Sequence, residues 1–143
     1  MLALPLIALV AASLFTGAAA YISLVEHPAR LVLDEGPLLD QWKPSYDRAL
    51  PIQSGLAIVG GLAGVAAWYQ SVQWLWVAGS VALLANWPFT LLAIMPTNKR
   101  LKVLQAGVES RALLLKWGRL HNFRSGLGAL ATLLFAAASL QTT

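Results

Sequence analysis

Three long stretches of the chain, residues 1–25, 49–98 and 125–143, carry no Asp, Glu, Lys or Arg. All ten basic and six acidic residues fall in two windows, from Glu26 to Arg48 and from Lys99 to Arg124. A membrane-crossing helix needs about 20 apolar residues. The first stretch fits one span. The second fits two, with a tight turn at Gln70-Ser71-Val72-Gln73. The last has an apolar core of Ser125 to Leu140 and borrows a turn from the Trp117–Phe123 region. The pattern predicts an all-α, integral membrane four-helix bundle with helices at about 2–25, 49–69, 74–95 and 120–140. Residues 1–143 then form a single transmembrane domain, with amphipathic segments in windows 26–48 and 97–124, between helices 1 and 2 and helices 3 and 4.

Composition agrees. Hydrophobic residues make up 58% and charged residues 11%, with a mean hydropathy of +0.67. A soluble domain carries about 25% charged residues. With no cysteine, disulfides, thiolate metal sites and cysteine nucleophiles are excluded. The net charge of +4 is not read as a nucleic-acid footprint, because the basic residues are few and sit between apolar spans.

Four spans put both charged windows on one side, and that side then holds every Lys and Arg. Positive residues mark the cytoplasmic face. The expected placement is a bacterial inner membrane or its equivalent, with both termini outside and both charged windows cytoplasmic. Gly17-Ala18-Ala19-Ala20 resembles a leader cleavage site, but no basic segment precedes it, so residues 2–25 are read as a span.

Local features add detail. Pro28 disfavours helix at His27 and ends the first span. Trp42 and Tyr46, four residues apart, share a helix face in a short segment, Leu38 to Arg48, and read as interfacial anchors. Gly60, Gly61 and Gly64 let a neighbouring helix approach closely, either within the bundle or in a homo-oligomer. Asn86, in Asn86-Trp87-Pro88, either lines a cavity or bonds across the bundle, since polar groups at this depth need partners. Pro96-Thr97-Asn98 supplies a break and a cap-like residue. Trp117, His121, Arg124 and Ser125 recur at helical spacing and share one face. Lys99, Arg100, Lys102, Arg111, Lys116 and Arg119 read as charges facing solvent or phospholipid. Two histidines fall short of a dedicated metal site, although His27, His121 and a carboxylate such as Glu26 or Glu109 would make one possible set.

One set of residues resembles a known family. Trp87-Pro88-Phe89-Thr90, then Met95-Pro96-Thr97-Asn98 and Leu101, is similar to the signature of the small four-helix membrane proteins that include the fungal anthrone oxygenases. Pro28 with Trp42-x-x-x-Tyr46 downstream, and Trp117-x-x-x-His121-x-x-Arg124 opening helix 4, agree with it. The resemblance covers residues 20 to 140.

It implies a monooxygenase that turns an anthrone-like phenolic ketone into a quinone with O2 as co-substrate and no other cofactor. The CH2 of an anthrone is acidic because its conjugate base is an aromatic enolate, which reacts with O2 directly. His121 is the expected general base, with Arg124 or Asn98 stabilising the enolate oxygen. Trp42, Tyr46 and Trp117 would sandwich a flat ring, with Asn86 as a further substrate contact. The expected partners are the lipid bilayer and a small hydrophobic aromatic substrate. Two rival readings are a metal-dependent membrane oxidase using His27, His121 and carboxylates, and a non-enzymatic helical bundle that binds lipid or a small molecule.

Overall fold

A computed structural model describes residues 3–141, all of them in helices or short connections. Four helices are each long and apolar enough to cross a membrane: α1 (Ala3–Arg30), α2 (Glu35–Ser71), α3 (Trp74–Val103) and α4 (Val108–Gln141). The expected start of the first helix near residue 2 lies outside the described residues. α1 and α3 occupy diagonal corners, each packed against both α2 and α4. Many large apolar side chains point outward, among them Leu24, Leu92 and Leu133. Such a girdle is costly in water and ordinary against lipid tails.

The helices run further than the uncharged stretches. α2 has 37 residues, about 55 Å of helix, and absorbs the segment expected to stand apart at Leu38 to Arg48. Pro44 and Pro51 lie inside it. Each removes one backbone bond, to the carbonyl of Asp40 or Asp47, in a stretch polar enough to tolerate the loss.

Pro28 and Pro96 do not stop their helices either. In α1 a π-helical turn, Ile22–Glu26, precedes the proline, and the His27 N–H bonds the Ile22 carbonyl five residues back. In α3 the turn Thr90–Ile94 does the same, with the Met95 N–H on the Thr90 carbonyl. The widened turn takes up the bond pattern that a proline disrupts, and the helix resumes. Asn98 is therefore interior to α3, not a cap. The turn between α2 and α3 falls where expected, with Val72 in the left-handed region at φ 55°.

Two apolar clusters fill the interior. One joins Ala8, Ala12 and Phe15 to Ala57, Trp76, Leu83 and Phe135. Small residues there let rings sit directly on backbone. A Cβ on Gly64 would lie 2.7 Å from the Phe135 ring, and one on Gly128 2.7 Å from Phe15. Gly60 likewise faces Leu83 and Ala11. The glycine face of α2 is thus used for packing inside the protomer.

The other cluster, nearer the charged end, holds Ile22, Leu38, Trp42, Ile94, Leu101, Leu114 and Trp117. Polar contacts close over it. Arg111 donates to Glu35 (2.9 Å) and to the backbone carbonyls of Leu31 (2.9 Å) and Leu33 (2.6 Å). Lys102 pairs with Asp47, and Arg100 with Glu109. Three of the six basic residues expected to face only solvent or lipid therefore bind the helices to one another.

Candidate functional site

Within this second cluster, all four helices deliver polar side chains to one point. Arg30 from α1, Tyr46 and Gln53 from α2, Asn98 from α3, and His121 and Arg124 from α4 line a small cavity floored by Ile22, Ile94 and Trp117. The space open to water-molecule centres is about 20 Å³, enough for one water.

His121 is 3% exposed, and a second side chain fixes its orientation. Ser23 Oγ lies 3.0 Å from His121 Nδ1 and 2.8 Å from Ser125 Oγ, while the Ser125 hydroxyl also donates to the His121 carbonyl at 3.1 Å. With Nδ1 engaged by Ser23, Nε2 is the nitrogen available for chemistry. The ring stacks on Trp117 at 4.8 Å, one turn earlier on α4, which fixes its plane.

Arg124 is buried, and among the described residues no carboxylate pairs with it. Its Nε lacks a hydrogen-bond partner among the described residues, and its guanidinium sits over the Phe15 ring at 5.4 Å. A buried cation without a counter-charge is costly. Arg30, by contrast, has one: it contacts Glu26 at 2.7 Å and donates to Ser45 at 3.2 Å.

Asn98 donates from Nδ2 to the Tyr46 hydroxyl at 3.1 Å, while its Oδ1 is unpartnered among the described residues. The two charged windows meet through this bond.

The remaining expected residues fall into place differently. Trp42 is fully buried and stacks on Tyr46 at 5.0 Å, with its edge on Trp117 at 5.9 Å. These rings pack on one another and leave no slot for a flat guest between them. Trp42 does not line the cavity; it packs on two residues that do, Tyr46 and Trp117. Asn86 does not reach the polar cavity; it donates to the Leu83 carbonyl of its own helix at 3.0 Å and lines a second chamber.

His27 sits behind Trp117, ring to ring at 5.1 Å, in a notch left by Gly118. It lies beside the Leu114 backbone, yet neither nitrogen makes a hydrogen bond of normal length and angle. Glu26 is held by Arg30, Ser45 and Gln41. Glu26, His27 and His121 form no donor set: no group of three His, Asp or Glu side chains converges among the described residues.

Sequence reasoning missed Ser23, Arg30 and Gln53. A signal existed for Ser23 and Gln53, because isolated polar residues in otherwise apolar spans usually mark an inward face.

A model of the family described as anthrone oxygenase matches residues 42–134, well over half of the chain. No curated protein and no solved structure matches. The matched segment contains Tyr46, Asn98, Trp117, His121 and Arg124 together. The chain belongs to the anthrone oxygenase family.

Proposed function

We propose that the protein is a membrane-embedded monooxygenase that converts a phenolic, anthrone-like ketone to the corresponding quinone with O2. One observation carries the reading: a buried imidazole with Nδ1 engaged by Ser23 shares a cavity with an arginine that has no carboxylate partner.

In this mechanism His121 Nε2 removes a proton from the ring CH2, and the electron pair moves onto the ketone oxygen as an aromatic enolate. Arg124 sets a positive charge beside the negative charge that develops on this oxygen as the proton leaves, and an interaction that strengthens towards the transition state lowers the barrier. The enolate carbon gives electrons to O2 and forms a C–O bond, and the peroxide takes up the proton. Loss of water, carrying the second CH2 hydrogen and one oxygen atom, leaves the new carbonyl. One O2 is consumed and one water released. Asn98 positions the Tyr46 hydroxyl on the cavity wall.

The distribution of Lys and Arg supports an orientation with the charged windows in the cytoplasm and both ends outside. Reporter fusions at residue 72 and at the C-terminus test it. Signal from the cytoplasmic side at either point would reverse the orientation.

Activity is tested with purified protein and a dihydroxyanthrone, following O2 uptake and quinone absorbance. Wild type should accelerate both with a one-to-one ratio, and His121→Ala should lose on the order of 10²–10⁴ in rate. Equal rates for wild type and His121→Ala would remove this reading.

A further inference from the structure

A second chamber lies beside the polar cavity, and its lining points to a route from the bilayer. It opens between α2 and α3, where Ala57 and Ser54 face Asn86, Thr90 and Leu91, with Arg124 at the back. The space open to water-molecule centres is about 130 Å³, several times that of the polar cavity. Leu50 and Arg124 stand in the walls of both spaces.

Two features mark this chamber as a seat rather than a packing gap. Asn86 and Thr90 line it, both residues are more than nine-tenths buried, and neither Asn86 Oδ1 nor Thr90 Oγ1 has a hydrogen-bond partner among the described residues. Asn86 lies thirteen residues before Lys99, about 20 Å along the helix, far from the charged end where water would compensate. At that depth an unpaired polar atom is costly. Thr90 opens the π-turn of α3. At the rim, Leu91 is 52% and Trp87 39% exposed, on the surface that faces lipid tails.

We propose that the chamber between α2 and α3 admits a flat, mainly apolar ring system sideways from the bilayer and recognises its hydroxylated edge through Asn86 and Thr90. Asn86 Oδ1 accepts from a ring hydroxyl, and the Thr90 hydroxyl donates or accepts beside it. Arg124 meets an oxygen at the inner end, and Leu50 is the side chain a guest displaces to reach His121. The catalytic assignment of His121 rests on the proposed function, but the chamber's binding role does not.

The test is binding of a dihydroxyanthraquinone to the full chain in lipid nanodiscs, read by quenching of tryptophan fluorescence. Ala57→Leu fills the chamber, and Thr90→Val removes its hydroxyl at constant shape. The expected result is saturable binding to wild type, weakened at least tenfold by Ala57→Leu and several-fold by Thr90→Val. Thr90→Val keeps the test open if Ala57→Leu fails to fold. A diazirine derivative of the probe should label residues within 50–57 or 86–95. No saturable binding, wild-type affinity in a folded Ala57→Leu or Thr90→Val, or labelling confined to other segments would overturn the inference. Chamber binding of the quinone with no O2 uptake when the dihydroxyanthrone is supplied would leave it standing and sink the catalytic reading alone.

Discussion

Ser23 and His121 are 98 positions apart in sequence, yet the serine hydroxyl lies 3.0 Å from the imidazole Nδ1. That contact crosses from α1 to α4. It engages Nδ1 and leaves Nε2 for chemistry, and it comes from the π-turn that carries Ser23.

Ser23 is therefore expected to act through His121. Ser23→Ala should lower kcat about tenfold, the scale of other contacts that orient a reactive imidazole, with KM little changed. Ser23→Thr keeps the hydroxyl and should restore most of the rate. An unchanged kcat in Ser23→Ala would mean that Trp117 alone holds the ring.

Gly118 should be intolerant of any side chain. A Cβ there would lie 2.5 Å from His27 Nε2, in a region with no room to give. Gly118→Ala should destabilise the bundle by about 1–3 kcal/mol, the usual cost of overpacking, and His27→Ala should relieve much of that loss. Thermal unfolding of both single variants and the double variant measures the coupling. Additive effects would refute the contact.

Gly64 makes a parallel case without a titratable partner. Gly64→Leu would drive a side chain into Phe135 and Ser80 and should prevent a monodisperse fold in detergent. A Gly64→Leu protein with wild-type thermal stability would show that α2 and α4 pack differently.

A pH effect is expected at the charged end, outside the apolar stretch of α2. The Arg111 hydrogen bond holds the exposed Glu35 carboxyl below the usual glutamate range. A depressed folded pKa contributes stability that is present above the ordinary glutamate value and lost as pH falls below it. As pH falls below the ordinary glutamate value the connection at 31–34 should loosen, read by hydrogen exchange of Leu33 and its neighbours. Glu35→Gln should remove that part of the pH dependence.

Much of this was legible in the sequence, for identifiable reasons. Charge-free runs of 20 residues have few alternatives to a span, so four helices followed directly from the positions of Glu26, Arg48, Lys99 and Arg124. Helical spacing put Trp117, His121 and Arg124 on one face. Helix ends were not legible, because Pro28 and Pro96 ordinarily interrupt a helix and a π-turn leaves no clear signature in composition. Arg30 read as one more charge in a polar window, since nothing local distinguishes a buried ion pair from a solvated one. The aromatic sandwich failed because adjacent rings satisfy one another before they satisfy a guest.

The two π-turns carry a consequence for how this architecture can change. Each is geometrically equivalent to one residue inserted into an α-helix, and one residue corresponds to about 100° of rotation. If the turn at 90–94 closed into regular helix with no residue lost, everything beyond, Asn98 included, would rotate by about a quarter circle relative to Asn86. Deleting one codon there would instead remove the surplus residue and leave Asn98 facing as it does. The widened turn is thus the place where α3 can gain or lose a residue without turning one wall of the cavity against the other.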